Sequence, residues 1–173
     1  MVMDTDGTNY TGISIPPFIV SYGGHFSHRP RTTDVTLSLL RRAKNNGFTA
    51  LVVTLDTMMI GWRPHDLARA YLPFGHGVGI QVGMSDPVFM ARYNRQPIHQ
   101  RPNFPYEPAE IDEMIANGDE KMKEGTFFGS QWVTECNSGQ FRDWEDLKFL
   151  RDNWEGPLIL KGIQSVHVRL TFS

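Results

Sequence analysis

The sequence lacks the features that mark secreted, disulfide-rich and membrane-spanning proteins. Its single cysteine, Cys136, excludes an internal disulfide and a zinc site built from several thiolates. No apolar run approaches the roughly 18 residues that a membrane span needs. The N-terminus MVMDTDGTNY has no basic segment followed by an apolar core, and the C-terminal TFS is not a peroxisomal signal. We therefore expect a cytoplasmic protein with no membrane partner.

An excess of charge of one sign is also missing. The 17 lysine and arginine residues nearly balance the 19 aspartate and glutamate residues, giving a formal net charge of -2. Nucleic-acid partners favour strongly basic surfaces, so the sequence predicts no nucleic-acid partner. The 173 residues, 40% of them hydrophobic, are enough for one domain with a moderate core.

The first 33 residues are rich in glycine, proline, serine, threonine and histidine. Their apolar stretch, Ile13 to Val20, is interrupted by Pro16 and Pro17. Proline cannot donate a hydrogen bond to a sheet, which argues against a central strand here. We expect residues 1–33 to form a mostly irregular, poorly packed N-terminal segment.

The next part of the chain has the clearest pattern. Asp34 can cap a helix that carries four apolar residues on one face, and Gly47 can end it. The run Phe48 to Thr54 is short and β-branched, as a strand buried on both faces should be. A loop and a helix from His65 to Ala70 are predicted to follow. Helix, turn, buried strand, loop and helix in this order are typical of a parallel α/β fold.

A second helix–strand unit comes near the end of the chain. Asp143 is a plausible N-cap for WEDLKFLR, Gly156-Pro157 makes a turn, and the short strand Leu158 to Leu160 ends at Lys161. We expect strands near 48–54 and 157–161 to be adjacent and parallel, because consecutive βα units place their strands side by side.

Between the two units, residues 75–142 predict a long, loop-rich insertion or lid. The insertion has one acidic helix candidate, Pro108 to Glu124, which is weakened by Gly118. Its glycine-rich stretch, Gly75 to Gly83, does not have the spacing of a dinucleotide-binding loop and fits a lid loop better. Five acidic residues there are most simply a solvated helix face: Glu110, Asp112, Glu113, Asp119 and Glu120.

Polar side chains stand where parallel α/β folds place their sites, at the carboxyl ends of the strands. Thr54 and Asp56 end the first strand, Arg63 lies at the far end of the following loop, and Lys161 ends the second strand. A strand-end lysine can meet an anion, although it is solvated about as often. A threonine or aspartate at a strand end more often caps or bonds its own loop. His25 and His28 have a metal-compatible spacing but no partner ligands nearby, so we predict no metal site.

Several motifs in a fixed order resemble one enzyme family. They are RRAKNNGFTALVVTLDTMMIGWRPHDL at 41–67, YLPF at 71–74, SDPVF at 85–89 and WEDLKFLRDNWEGPLILKGIQSV at 144–166. Together they resemble the FMN-dependent 2-hydroxyacid oxidases and dehydrogenases, and GWRP and YLPF resemble the lactate monooxygenase branch. The resemblance implies that residues 34–173 are a partial domain of this family, with the insertion at about 75–142. The implied fold is a partial (β/α)8, or TIM, barrel.

The resemblance also implies roles for three residues. Thr54 matches the residue that hydrogen-bonds the flavin ring of FMN, and Lys161 matches the lysine beside flavin N1. Arg63 matches an arginine that binds the substrate carboxylate. Asp56 matches a family position that we interpret as orienting the loop. The implied substrate is a small 2-hydroxyacid such as lactate, with oxygen as the electron acceptor and a homo-oligomeric assembly.

The chain departs from the family in two places. Where the family has a segment like YQLY, this sequence has FIVSYGGHFSHRPRTT, and we assign no role to Tyr22. The family's histidine base belongs to a segment resembling SNHGGRQ, and no such run occurs among residues 1–173. We therefore name no catalytic residue, and expect an incomplete chain that binds FMN poorly and is inactive alone. The alternative is a noncatalytic fragment or interaction module derived from the family.

Overall fold

The computed structural model describes residues 19–22, 31–55, 62–69, 71–99, 105–136 and 143–163. Their elements, in chain order, are strand β1 (Ile19–Tyr22), helix α1 (Thr33–Asn45), strand β2 (Ala50–Thr54), helix α2 (Pro64–Ala68), a 3-10 helix (Pro73–His76), helices α3 (Gln81–Met84), α4 (Pro87–Ala91), α5 (Pro108–Ala116), α6 (Glu120–Cys136) and α7 (Trp144–Asp152), and strand β3 (Leu158–Lys161).

The chain divides into two compact units. The first, which we call the sheet unit, contains the three strands with α1 and α7. The second, the helical unit, contains the described residues from 62 to 135. Within the described part of the chain, no helix is both long and apolar enough to cross a membrane.

The three strands of the sheet unit are parallel and lie in the order β1-β2-β3. The predicted pairing of strands near 48–54 and 157–161 is confirmed, because β2 pairs with β3 in a register that sets Leu51 opposite Leu158 and Thr54 opposite Lys161. β1 lies in the segment predicted to be mostly irregular, so that prediction is wrong for residues 19–22. The strand follows the tandem prolines and lies at an edge of the described sheet, where a nearby proline is tolerated.

Helices α1 and α7 cover one face of this sheet. Their buried side chains pack with those of β2 into an aliphatic core around one tryptophan: Leu40, Ala43, Leu51, Val53, Leu147, Leu150 and Trp154. Leu158 and Leu160 of β3 pack against the same core. Because side chains alternate along a strand, the intervening residues Ile159 and Lys161 point to the opposite face.

Local signals explain where α7 begins and where α1 ends. Helix α1 itself begins at Thr33, so the predicted cap at Asp34 is wrong. Asp143 caps α7 through a full capping box, in which its carboxylate accepts from the Glu145 and Asp146 amides at 3.0 and 3.2 Å. The Asp146 carboxylate in turn accepts from the Asp143 amide at 3.2 Å. Gly47 follows the end of α1 with φ +79°, a left-handed conformation that glycine adopts without strain.

The helical unit corrects the prediction of a loop-rich insertion. Four helices, α3 to α6, lie in the described residues between 75 and 136. The predicted single helix from Pro108 to Glu124 is also wrong. The chain forms two helices separated at Gly118, whose φ of +91° no helix can continue. Packing against neighbouring helices stabilises helices that sequence periodicity alone does not reveal.

The glycines of the 75–83 stretch are packed rather than part of an open lid. A Cβ atom on Gly77 would lie 2.7 Å from the Gly125 carbonyl oxygen of α6. A Cβ on Gly129 would overlap the Phe74 carbonyl oxygen, and one on Gly83 would overlap the Trp132 ring. Gly77 and Gly129 let the backbone of the 3-10 helix approach α6 closely, and Gly83 makes room for the Trp132 ring.

Candidate functional site

Thr54 and Lys161 are brought together at one end of the sheet. They are register partners at the carboxyl ends of β2 and β3, and they lie on the face opposite the helix-covered core. Paired residues on parallel strands project to the same side, so a ligand above this edge can meet both side chains. The carboxyl end of parallel strands is where α/β folds bind ligands.

The Thr54 side chain is buried, with 6% of its surface exposed. Its hydroxyl oxygen has no hydrogen-bond partner among the described residues. Leaving such a group unsatisfied costs about 1–3 kcal/mol, and a hydroxyl can both donate and accept. A ligand with a polar edge at this position would satisfy it.

Lys161 is exposed at the end of β3. Its backbone carbonyl accepts a hydrogen bond from the Leu55 amide at 2.8 Å, which extends the pairing of β2 with β3 by one residue. Gly162 follows with φ +90° and turns the chain away from the strand. The strand therefore delivers a primary ammonium group to the edge that also holds the Thr54 hydroxyl.

Arg63 belongs to the helical unit, so its position relative to these two residues stays a prediction. It occupies the N-cap position of α2 and is half exposed. Its guanidinium Nη1 lies 3.7 Å from the Asp66 carboxylate, an ion pair too long to be a hydrogen bond. The planar donor group is therefore available for a carboxylate ligand.

Other predicted positions lie outside the described residues. Asp56, His25 and His28 are among them, and for Tyr22 only the backbone is described. In the described ranges, no group of three or more histidine, cysteine, aspartate or glutamate residues could hold a metal ion.

A cluster in the helical unit was not predicted. His76 contacts the Tyr106 hydroxyl through Nδ1 at 2.7 Å and the Asp112 carboxylate through Nε2 at 3.1 Å. An ionised carboxylate can only accept, so a neutral His76 carries its proton on Nε2 and accepts from Tyr106 at Nδ1. Burial, and then Asp112 and Tyr71, raise the pKa of Tyr106 above its ordinary value and keep the phenol protonated. The three residues lie up to 36 positions apart, so no local sequence signal could reveal the cluster.

Known proteins that are similar to this chain include FMN-dependent dehydrogenases and an L-lactate oxidase. A family model of FMN-dependent dehydrogenases matches residues 27–169. An FMN-dependent alpha-hydroxy acid dehydrogenase of Penicillium citrinum is 41% identical over 131 residues, 76% of this chain and 27% of that protein. One of Schizosaccharomyces pombe is 38% identical over 135 residues, 77% of this chain and 28% of that protein. An L-lactate oxidase of Lysinibacillus sphaericus is 40% identical over 58 residues, 34% of this chain and 15% of that protein.

The matched part of the chain thus spans little more than a quarter of the length of the first two relatives. The family match, from residue 27 to residue 169, nevertheless includes both helix–strand units and the described helices between them. The sequence motifs, the parallel strand pair and this match lead to one conclusion: the chain belongs to the family of FMN-dependent α-hydroxy acid dehydrogenases.

Proposed function

We propose that this chain is part of an FMN-dependent oxidoreductase that acts on small L-2-hydroxyacids, of the lactate oxidase or monooxygenase type. The observation that carries the proposal is the pairing of Thr54 with Lys161 at the carboxyl end of the sheet. The GWRP and YLPF motifs and the similarity to an L-lactate oxidase support lactate as the substrate class.

The two strand-end residues fit a flavin. The buried Thr54 hydroxyl has no partner among the described residues, and the polar edge of a flavin ring offers both donors and acceptors. FMN supplies the acceptor for the hydride that leaves the substrate α-carbon. With FMN bound, the Lys161 ammonium would stabilise negative charge that develops nearby, most strongly in the transition state.

Arg63 is the proposed substrate-binding residue. Its guanidinium can bind both oxygens of a carboxylate at once, which fixes orientation as well as position. A substrate held in this way presents its α-carbon in one orientation, and correct orientation contributes substantially to rate. The exposed ion pair with Asp66 offers little competition, because such pairs are worth about 0–1 kcal/mol.

We also propose that the sheet unit is a segment of a (β/α)8 barrel. Its parallel strands, with helices covering one face, are the repeating unit of that fold. Ile159, on the other face, is 45% exposed, as an inward-facing barrel residue would be in a three-stranded segment. Oxygen as the acceptor, homo-oligomeric assembly and a cytoplasmic location complete the proposal, and each rests on the resemblance or on composition.

Residues 1–173 are proposed to be inactive alone. A positioned base typically contributes about 10²–10⁴-fold to proton transfer, and none of the six histidines of the chain lies in a run resembling SNHGGRQ. Purified chain supplied with excess FMN and lactate should produce no pyruvate, acetate or peroxide above background. Turnover near 1 s⁻¹, about the low end of typical enzymes, would contradict this proposal.

Flavin titration tests the cofactor proposal directly. Wild-type chain should bind FMN weakly but saturably, with a change in flavin absorbance, and Lys161→Met should weaken binding about tenfold because it removes the charged partner. Lys148→Met, an exposed lysine on α7, is the matched control and should bind like wild type. Equal binding by all three proteins would contradict the role of Lys161, and no binding at all would favour the noncatalytic interaction module instead.

A further inference from the structure

Helix α2, which follows Arg63, is not held in place by packing. None of its five residues is buried, and large apolar side chains around it are exposed: Trp62 by 84%, Leu67 by 56% and Leu72 by 56%. A segment with so few buried contacts opens easily unless specific polar or aromatic contacts restrain it. The position of the Arg63 guanidinium therefore depends on a small number of such contacts.

Tyr106 supplies two of these contacts. Its ring meets the Tyr71 ring edge-on, with centroids 5.4 Å apart. Its hydroxyl donates to His76 Nδ1 at 2.7 Å. Tyr71 precedes the 3-10 helix and His76 is its last residue, so the Tyr106 side chain contacts both ends of the segment that follows α2.

From Tyr71 the contacts continue to Arg63. The Tyr71 amide donates to the Asp66 carbonyl oxygen of α2 at 2.8 Å. The Leu67 amide donates to the Arg63 carbonyl at 3.0 Å. The contacts from Tyr106 to Arg63 are therefore one ring contact followed by backbone hydrogen bonds of α2.

At the His76 end of this segment, the backbone packs against α6. His76 Nε2 donates to Asp112 on α5 at 3.1 Å, and the next residue, Gly77, packs on the α6 backbone at Gly125. Through His76 and the adjoining Gly77, Tyr106 thus connects an exposed segment to backbone that packs against α6.

We propose that Tyr106 is a positioning residue for Arg63, acting through Tyr71 and His76. The proposal rests on the proposed function, in which Arg63 binds the substrate carboxylate. Removing the Tyr106 hydroxyl should let the Arg63 segment sample more conformations. The affinity for a carboxylate then falls in proportion to the population of the conformation in which Arg63 can bind it.

The experiment titrates oxalate, a small dicarboxylate probe, into the 173-residue chain and follows the indole N–H resonance of Trp62 by NMR. Tyr106→Phe, which keeps the ring contact and loses the hydrogen bond, should weaken oxalate binding about threefold to tenfold. Tyr93→Phe is the matched control, because Tyr93 is also half-buried in this unit and donates to Gln131 at 3.2 Å. It should bind oxalate within about twofold of wild type.

A second pair of variants separates the polar contact from general packing. Asp112→Asn keeps a side-chain oxygen that can accept from His76 and should behave like wild type. Asp112→Ala removes it and should resemble Tyr106→Phe. Equal weakening by Tyr106→Phe and Tyr93→Phe, or no weakening by either, would overturn the positioning role.

Arg63→Gln distinguishes the two proposals. If oxalate binding is absent in wild type or survives Arg63→Gln, the proposed role of Arg63 fails. Hydrogen exchange at the Tyr71 amide then still tests whether Tyr106 restrains this segment, because the measurement requires no ligand. Tyr106→Phe should speed that exchange at least about threefold more than Tyr93→Phe does, and equal rates would contradict the inference.

Discussion

The sheet unit and the helical unit are stabilised in different ways. The core of the sheet unit is aliphatic, with leucine, valine and alanine from α1, β2 and α7 packed around Trp154. The helical unit relies on edge-on aromatic contacts, such as Phe89 with Trp132 at 5.0 Å, and on glycines that let backbones touch. Aliphatic packing tolerates small adjustments of volume, whereas a glycine against a backbone tolerates no added atom.

The two units also differ in how they treat buried polar groups. In the helical unit, the buried Glu135 carboxylate accepts from Arg92 at 3.0 Å. In the sheet unit, the buried Thr54 hydroxyl and Trp154 indole nitrogen have no partner among the described residues. An unsatisfied buried hydroxyl costs stability, and we propose that the bound cofactor supplies the partner of Thr54. The sheet unit is therefore the part of the chain in which the proposed FMN contact is tested.

The largest effect should come from the aliphatic core. Leu51 is fully buried, so Leu51→Ala should lower the free energy of unfolding by about 2–5 kcal/mol. Ile159→Ala, on the other face of the sheet, is the control and should cost less than about 1 kcal/mol. Denaturant unfolding followed by tryptophan fluorescence measures both. Similar losses for the two variants would mean that the two faces are equally buried.

The glycine contacts of the helical unit can be tested within one helix. Gly129→Ala should lower the free energy of unfolding by about 2–3 kcal/mol, because the new methyl group overlaps the Phe74 carbonyl. Gly125→Ala is the matched control, since its nearest neighbour would be the His76 carbonyl oxygen at 3.5 Å. Alanine there should be neutral or should stabilise α6 by up to about 1 kcal/mol. The opposite order would contradict the packing described here.

The smallest effect concerns an exposed ion pair of the sheet unit. Lys44 donates to Glu155 at 2.7 Å, and this hydrogen bond, followed by the charge of Lys44, lowers the pKa of Glu155 below its ordinary 4.5. The stability that this ion pair contributes is therefore present above the ordinary pKa of the carboxyl group, and it is lost as the pH falls through the lowered pKa. Lys44→Met should change the acid dependence of Tm by about 1 °C or less. A larger change, or one at neutral to alkaline pH alone, would point to another cause.

Sequence reasoning succeeded where signals are local. The capping residue Asp143, the left-handed Gly47 and the β-branched run of β2 each depend on a few neighbouring residues, and the structure has all three. The N-cap of α4 could also have been found, because Asp86 before Pro87 is a typical helix start. Its buried carboxylate accepts from the Val88 and Phe89 amides at 2.9 Å.

It failed where a residue's role depends on distant partners. Gly83 and Gly129 suggest loops or weak helices by propensity, yet they are needed by Trp132 and by the Phe74 backbone. Glycine spacing within the sequence carries no record of those partners. The candidate site at the strand ends was likewise predicted only in its local features. Strand ends pointed to Thr54 and Lys161, but the missing partner of the Thr54 hydroxyl is visible only in three dimensions.

The most direct measurement makes one substitution at the site and reads two quantities. Thr54→Val removes the unsatisfied hydroxyl while keeping a β-branched shape, so the free energy of unfolding should rise by about 1 kcal/mol. The same variant should bind FMN about fivefold or more weakly in a flavin titration, because it loses a hydrogen bond to the ring. Thr54→Ser, which keeps the hydroxyl and loses a methyl group, should be less stable than wild type and should retain most of the FMN affinity. A Thr54→Val chain that is less stable than wild type, or that binds FMN equally well, would contradict the account.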